Sequence, residues 1–193
     1  MDGMGTMGKV RKSHPVGRTG QTGTSSGQPG EDTTLDHVAL SAYVQRFSQA
    51  KVLVIGDLIL DHYVWGRVSR ISPEAPVPVV HVESESLKLG GAANVFNNIL
   101  ALGGQADICG VIGADESGRL LLKELGGRRQ GRGGVVIDQS RPTTRKSRVV
   151  AHNQQIVRYD VERRTELSAL LLRRILRYVE SRLNELSCLV VSD

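Results

Sequence analysis

Continuous apolar runs of strand length alternate with helical patterns along most of this 193-residue chain, and that alternation is the strongest constraint on its fold. A run such as KVLVIGDLIL (51–60) predicts a parallel strand with helices on both faces, since such a strand has no solvent-facing side. Strands that alternate with helices indicate an α/β fold with a parallel sheet. The predicted buried strands are 51–60, 106–113, 134–138 and 187–193, and the predicted helices are 34–50, 91–102, 115–125 and 165–186.

Two further stretches, 61–84 and 143–162, alternate apolar and polar residues instead. That pattern is typical of strands with one exposed face, and the second stretch predicts a hairpin that turns at 152–154. The prolines of the first stretch predict an ordered turn and a strand edge. We therefore expect a separate small sheet that lies over one edge of the main sheet. The predicted helix caps are Thr33 or Thr34 for the first helix, Asp115 or Ser117 for the third and Thr165 for the fourth.

Composition limits the class of protein. Residues 1–33 are rich in Gly, Ser, Thr and Gln without apolar periodicity, which predicts a disordered tail before a folded domain over 34–193. No run of about 18 apolar residues indicates a membrane span. The formal net charge is +5, but no aromatic residues interleave with the basic ones, so a nucleic-acid partner is not favoured; RNA binding by the Arg/Gly-rich stretches is the alternative. Cys109 and Cys188 lie in apolar runs without metal-ligand spacing, which predicts two buried thiols in a cytoplasmic protein with no metal site.

Candidate ligand-binding residues follow the first strand and open the second helix. Asp57 and Asp61 come at or just beyond the carboxyl end of the first strand, the edge at which open parallel sheets bind ligands, and a carboxylate there can accept hydrogen bonds from two sugar hydroxyls. Gly90 and Gly91 let a ligand approach the backbone at a helix start, and Asn94 can donate or accept a hydrogen bond. A turn or cap role for Asp57, and a tight turn for GGAAN, are the alternatives.

Basic residues of the predicted small sheet are candidates for binding a phosphate. Lys146 and Arg148 are two residues apart on a strand and so point to the same face. Two cations on one face suit a phosphorylated substrate, because lysine and arginine both bind phosphate. Arg70, beside the SPEAP turn, is a third candidate cation. The alternative is a solvated strand face whose charges oppose edge-to-edge pairing.

The same segments resemble the ribokinase-like (PfkB) carbohydrate kinases. The pair Gly90–Gly91, followed by Asn94, Gly103 and Gly113, matches the spacing of that family's first signature. RISPEAPVPVV (70–80) and KSRVVAHNQQIVRYD (146–160) are similar, within the family, to D-glycero-β-D-manno-heptose-7-phosphate kinases, including the kinase half of a bifunctional kinase/adenylyltransferase. The resemblance covers about 40–193, with 126–140 poorly matched. Phe96 departs from the pattern, since the family usually has a small residue there, and we expect its ring to alter the packing behind the sugar site.

The resemblance implies a ribokinase-like three-layer fold with a parallel-type sheet and a small β lid, whose strands are expected at about 61–84 and 143–162. It implies ATP-dependent phosphorylation, with Mg2+, of the anomeric hydroxyl of heptose 7-phosphate to the 1,7-bisphosphate, a step toward ADP-heptose and lipopolysaccharide. Asp61, Gly91 and Asn94 would then bind sugar hydroxyls, Lys146 and Arg148 would be placed to bind the 7-phosphate, and a homodimer would form through the lid.

The family's second signature, Gly-Ala-Gly-Asp, which supplies the catalytic base, does not occur in the sequence. We therefore expect a domain truncated on its C-terminal side, with the base beyond residue 193 and with little or no kinase activity in these residues alone. A kinase for another sugar of the same superfamily, and an inactive fragment that binds sugar phosphate, are the alternatives.

Overall fold

The computed structural model describes residues 37–126 and 131–192, in which strands and helices follow one another along the chain. The predicted tail, 1–33, and the predicted cap at Thr33 or Thr34 lie outside the described residues. No helix within the described ranges is long and apolar enough to cross a membrane. The strands are β1 (Lys51–Gly56), β2 (Leu58–Ile71), β3 (Pro78–Gly90), β4 (Gln105–Gly113), β5 (Gly134–Asp138), β6 (Thr144–Ala151), β7 (Gln154–Val161) and β8 (Cys188–Ser192), and the helices are α1 (His37–Gln45), α2 (Gly91–Ala101), α3 (Glu116–Glu124) and α4 (Ala169–Arg182).

The strands form two four-stranded sheets. The main sheet has the order β5–β4–β1–β8, and all of its neighbouring strands are parallel. The second sheet, called the lid sheet below, has the order β3–β2–β6–β7, with a parallel β2–β6 pair between two antiparallel pairs. His152 and Asn153 join β6 to β7 with φ angles of 51° and 62°, as a type I′ hairpin turn requires. The parallel sheet, the separate small sheet and the hairpin are therefore confirmed.

Helices cover both faces of the main sheet. Adjacent residues of β1 point to opposite faces, so Val54 packs under α2 and α3 while Leu53 packs under α4. This double burial explains why the strand sequences are continuously apolar. The cluster under α2 and α3 contains Val54, Leu58, Leu60, Ala92, Ala93, Phe96, Ile108, Ile112, Leu121 and Leu125, and the cluster under α4 contains Leu53, Cys109, Val136 and Ile175.

The apolar run 51–60 is not one strand, contrary to the sequence prediction. The main sheet ends at Gly56, and Leu58 begins β2 of the lid sheet. A Cβ atom at Gly56 would lie 1.7 Å from the carbonyl oxygen of Ser192. Only glycine at this position therefore lets the chain pass so close to β8. Leu58 and Leu60 stay apolar because they join the same buried cluster as Val54 and thereby attach the lid sheet to the main domain.

Helix α4 begins later than predicted. Its N-cap is Ser168, whose Oγ accepts a hydrogen bond from the Leu171 N–H at 3.3 Å, and not Thr165. Arg141 Nη2 donates to the carbonyl oxygens of Thr165 and Glu166, both at 3.2 Å, and so engages two carbonyls that a longer helix would use internally. On the inner side of this predicted helix Ile175 is buried, whereas Leu183 is exposed and lies in a short 3-10 helix after α4. The partly buried apolar residues beside Ile175 are Leu167, Leu171, Val179 and Leu186.

The first helix is also shorter than predicted, and it buries little. α1 ends at Gln45, and a 3-10 helix at Phe47–Gln49 leads into β1. Leu40, Val44 and Phe47, three apolar residues of the predicted helix, are exposed. The pattern of this segment therefore indicated a helix without indicating what it packs against.

The two cysteines differ in their surroundings. Cys109 is fully buried in β4, and burial raises the pKa of its thiol to about 11, so the thiol is protonated at neutral pH and unreactive. Cys188 is exposed, which contradicts the prediction of two buried thiols. Cys188 is exposed because it is the first residue of β8, an edge strand that pairs only with β1 among the described strands.

Asp115 connects α3 to the start of β6. As the N-cap of α3 it accepts a hydrogen bond from the Gly118 N–H at 2.9 Å, and it also accepts from the Thr143 hydroxyl at 2.6 Å and the Thr143 N–H at 3.0 Å. Partial burial pushes the pKa of Asp115 upward, but the hydrogen bonds from Thr143 and Gly118 outweigh it and hold the pKa below its ordinary value. Of the two predicted caps, Asp115 is the one confirmed.

We expect Asp115→Ala to lower the free energy of unfolding by about 2 kcal/mol at pH 7, the upper range for a lost N-cap. Because the folded-state pKa is depressed, the ionised carboxylate stabilises the protein above the unfolded pKa, and that stabilisation is lost as pH falls through the folded pKa. Urea unfolding at pH 7 and at pH 3 measures both effects. The difference between wild type and variant should shrink at pH 3, and a difference that does not change with pH would contradict this role.

Candidate functional site

One face of the lid sheet carries a row of charged side chains centred on Asp61. In the strand register, Asp61 of β2 lies opposite Lys88 of β3 on one side and Lys146 of β6 on the other, and Lys146 lies opposite Asp160 of β7. Residues directly opposite one another across a sheet share a face. This face, called the polar face below, therefore presents alternating charges across all four strands.

Asp61 is held by an ion pair. Arg148 Nη1 donates to Asp61 Oδ1 at 2.5 Å, and the side chains are 22% and 19% exposed, respectively. The hydrogen bond to Asp61 raises the pKa of the Arg148 guanidinium above its ordinary value, so Arg148 keeps its positive charge at any physiological pH. Arg148 Nη1 contacts only Oδ1 of the Asp61 carboxylate. The other oxygen, Asp61 Oδ2, is directed toward the glycine pair at the start of α2.

Two stacked aromatic rings extend the polar face beyond Asp61. Tyr63 and Trp65 have ring centroids 5.9 Å apart with an interplanar angle of 14°. Lys88 Nζ lies 5.4 Å and Arg148 Cζ 5.3 Å from the centroid of the Tyr63 ring, within the range of cation–π attraction. The polar face thus offers an apolar ring surface directly beside positive charges.

The glycine pair joins the polar face to the main domain. A Cβ atom at Gly90 would lie 2.5 Å from Asp61 Oδ2, so the carboxylate reaches the helix start only because that Cβ is missing. Gly91 has φ +53°, and a Cβ there would lie 2.4 Å from the carbonyl oxygen of Asp57. That carbonyl accepts a hydrogen bond from the Ala92 N–H at 2.9 Å. The glycines therefore bring Asp61, Asp57 and the first turn of α2 together, in what is called the glycine corner below.

Asp57 and Asn94 are exposed beside the glycine corner. Asp57, Asp115 and Asp138 all lie at or just beyond the carboxyl ends of strands of the main sheet. Asp115 is an N-cap, and Asp138 accepts hydrogen bonds from the Ser140 N–H at 2.9 Å and Arg141 Nε at 3.0 Å. The Asp57 carboxylate has no hydrogen bond or ion pair within the described residues, so it alone of these three is available to a ligand.

Arg70 lies far from this cluster. It is exposed, nine residues beyond Asp61 along β2. At a rise of about 3.3 Å per residue, the strand separates the two by about 30 Å. The structure thus brings together Asp57, Asp61, Gly90, Gly91, Asn94, Lys146 and Arg148 around the glycine corner and the polar face, but not Arg70.

Comparison with known proteins identifies the family to which the chain belongs. The model of the pfkB family of carbohydrate kinases matches residues 49–192, which include both sheets and the glycine corner. The chain belongs to the pfkB carbohydrate kinase family. This confirms the resemblance that the glycine spacing indicated.

Curated relatives and solved structures agree with this assignment. The chain is 48% identical over 143 residues to the bifunctional protein HldE of Helicobacter acinonychis, covering 74% of this chain and 31% of the relative. It is 46% identical over 154 residues to HldE of Citrifermentans bemidjiense, covering 80% and 32%. The chain therefore spans about a third of the length of these relatives.

Two solved structures share the fold at low sequence identity. A putative ribokinase from Agrobacterium tumefaciens has a TM-score of 0.53 at 17% identity, covering 74% of this chain and 44% of that one. A putative phosphofructokinase from Staphylococcus aureus has a TM-score of 0.56 at 12% identity, covering 73% and 42%. The ribokinase-like α/β fold with its parallel sheet and second sheet is thereby confirmed.

Sequence reasoning missed three residues of the polar face that the pfkB fold brings to Asp61. These are Lys88, Tyr63 and Trp65. The alternation of Ser84, Ser86 and Lys88 along β3 was an available signal for a polar strand face. The position of Lys88 beside Asp61 depends on the β2–β3 register, which contains two irregularities that local sequence does not specify. Tyr63 and Trp65 lie two and four residues beyond Asp61 on β2 and share its face by strand alternation.

Phe96 lies away from the glycine corner. Its ring is buried, and a Cβ at Gly131 would lie 3.3 Å from Phe96 Cε2. It lines a cavity of about 470 Å³ together with Lys51 and Gln105, the first residues of β1 and β4. Phe96 therefore packs at the amino-terminal end of the main sheet, whereas the glycine corner lies at the carboxyl end, so the expected effect behind the sugar site does not arise from direct contact.

Proposed function

We propose that this chain supplies the sugar-binding part of a kinase that phosphorylates the anomeric hydroxyl of D-glycero-β-D-manno-heptose 7-phosphate in an ATP-dependent reaction, giving the 1,7-bisphosphate, a step toward ADP-heptose for lipopolysaccharide synthesis. Membership of the pfkB carbohydrate kinases and the similarity to HldE support the proposal. The observation on which it rests most is the Asp61 carboxylate, held against the glycine corner by Arg148 with Oδ2 facing the start of α2.

The residues of the glycine corner bind and orient the sugar in this proposal. Asp61 Oδ2 and the Asp57 carboxylate accept hydrogen bonds from hydroxyl groups, and Asn94 donates or accepts at a third hydroxyl. The ring of the sugar packs against the Tyr63–Trp65 stack, which is apolar on its face. The ion pair with Arg148 holds the Asp61 carboxylate in one position, so the acceptor hydroxyl is presented in one orientation.

ATP and Mg2+ enter this proposal through membership of the pfkB kinases. Within residues 37–126 and 131–192 no group of three or more His, Cys, Asp or Glu side chains could hold a metal ion. Mg2+ in phosphoryl-transfer sites is held by one or two carboxylates together with the phosphates of the nucleotide, so a preformed protein cage is not required. The proposal therefore assigns to this chain the binding of the sugar, and no step of phosphoryl transfer is attributed to its residues.

A thermal-shift comparison tests the proposed substrate. Heptose 7-phosphate should raise the melting temperature of the protein more than unphosphorylated heptose, ribose or fructose at equal concentration, because a ligand that binds the folded state more tightly stabilises it more. A larger shift with one of the unphosphorylated sugars would favour a kinase of another substrate. Robust ATP turnover by these residues alone would contradict the assignment of this chain to sugar binding only.

The opposite face of the lid sheet supports a second part of the proposal, a homodimer through the lid. This back face is largely apolar, apart from the pair His62 and Glu85, and it forms an open groove of about 680 Å³. Several of its side chains are exposed, including Val157 at 48% and Tyr159 at 45%. The groove is lined by Val64, Val80, Val82, Val149, Ile156 and Val157. We assign this surface to a second copy of the chain, because exposed apolar sheet faces of this kind mark interfaces.

We expect Val157→Lys to convert a dimer of this protein into a monomer, because it places a charge in the apolar interface. Sedimentation velocity measures the change. Leu102→Lys, at an exposed leucine just after α2, is the matched control and should leave the dimer intact. A dimer that survives Val157→Lys would exclude the back face as the interface.

A further inference from the structure

The four basic side chains of the polar face that lie nearest to Asp61 and Asp160 are not equivalent. Two of them, Arg148 and Arg158, are paired with these carboxylates: Arg148 with Asp61 at 2.5 Å and Arg158 with Asp160 at 3.0 Å. Farther along β2, Arg67 is likewise paired, with Glu83 at 2.5 Å. Any charge that this part of the polar face offers to an anion must therefore come from its other two cations.

Those other cations are Lys88 and Lys146. They lie directly opposite Asp61 in the register, one on each neighbouring strand. Neither has a carboxylate partner within the described residues, and Lys88 is exposed, with its Nζ 5.4 Å from the centroid of the Tyr63 ring. With strands about 4.8 Å apart, their Cα atoms are separated by about 10 Å, a gap that two flexible lysine side chains can close around one ligand.

We propose that Lys88, together with Lys146, binds the phosphate of a phosphorylated sugar and so determines the preference for it over the unphosphorylated sugar. This inference rests on the proposed function, since it concerns the same sugar site. A sugar phosphate carries nearly two negative charges at neutral pH, which matches the two lysines that lack carboxylate partners. An unphosphorylated sugar gains nothing from them.

Arg148 has a different task in this arrangement. Its guanidinium is committed to Asp61, so it acts on the sugar through that carboxylate and is a positioning residue. Its loss should weaken the binding of any sugar that Asp61 contacts, phosphorylated or not. Loss of Lys88 should weaken only the binding of the phosphorylated one.

Isothermal titration of the protein with heptose 7-phosphate and with heptose separates these roles. Lys88→Met should weaken binding of the phosphorylated sugar by about 10- to 100-fold, the value of one hydrogen bond to a charged group, and leave heptose affinity within about twofold. Lys146→Met should act in the same direction. Lys123→Met, at an exposed lysine in the last turn of α3, is the matched control and should change neither affinity. Arg148→Gln should weaken both sugars alike, and Arg148→Lys should restore part of both affinities.

Each contrary outcome has a distinct meaning. If wild type prefers heptose 7-phosphate and Lys88→Met keeps that preference, the role of Lys88 is wrong while the proposed function stands. If wild type binds both sugars equally, or binds neither, the proposed function fails and this inference fails with it. If Arg148→Gln loses only the phosphorylated sugar, Arg148 is itself a phosphate ligand and its positioning role is wrong.

Discussion

Replacing Gly91 by alanine should destabilise the protein by about 3 kcal/mol, whereas the same change at Gly103 should cost only about 1 kcal/mol. Both glycines have positive φ, +53° at Gly91 and +84° at Gly103. They differ in their surroundings, because an added Cβ at Gly91 would lie 2.4 Å from the Asp57 carbonyl oxygen, whereas nothing lies within 4 Å of one at Gly103. The matched pair thus separates backbone strain from the close contact that forms the glycine corner.

Urea unfolding of the two variants measures this difference, and sugar titration shows its consequence for the site. Gly91→Ala must push the start of α2 away from Asp57 and Asp61, so its sugar affinity should fall along with its stability. Gly103→Ala should bind as wild type does. Equal stability losses in the two variants would mean that Gly91 serves only the turn, which was the alternative that the sequence left open.

Replacing Asp61 by asparagine should lower the affinity for heptose 7-phosphate by about 100-fold. Asparagine keeps the volume of the side chain but removes the charge that Arg148 pairs with and that sugar hydroxyls donate to, and each such charged hydrogen bond is worth about 1.5–3 kcal/mol. The affinity for unphosphorylated heptose should fall by a similar factor, because the hydroxyls are common to both sugars. Isothermal titration measures both affinities.

Asp107→Asn provides the control for Asp61→Asn. Asp107 of β4 is also a largely buried carboxylate with an arginine partner, Arg182, whose Nη2 donates to Asp107 Oδ2 at 2.7 Å, but it lies near the amino-terminal end of the main sheet and away from the polar face. It should therefore change sugar affinity by less than about twofold, since distant sites without shared partners act nearly independently. A weak effect of Asp61→Asn, or an equal effect of both changes, would remove Asp61 from the sugar site.

The strands, the turn and the helix start that the sequence predicted correctly are those specified by nearby residues. Apolar runs marked β4, β5 and β8, and the positive-φ pair His152–Asn153 formed the turn that the sequence indicated. The glycine pair likewise marked the start of α2. Each of these features depends on residues within a few positions of one another.

The features that were missed depend on contacts between distant parts of the chain. The strand break at Asp57 was hidden because Leu58 and Leu60 remain apolar while they change sheets. The exposure of Cys188 follows from the edge position of β8, which no local pattern reveals. Lys88 reaches Asp61 only through the irregular β2–β3 register, so its place in the site could not be derived from spacing.

A crystal structure of the protein with bound heptose 7-phosphate shows directly whether the glycine corner and the polar face form the sugar site. We expect the sugar hydroxyls to contact Asp61 and the glycine corner, the ring to lie against Tyr63 and Trp65, and the phosphate to lie between Lys88 and Lys146. A sugar bound instead in the cavity beside Phe96, or on the lid with its phosphate remote from both lysines, would contradict it.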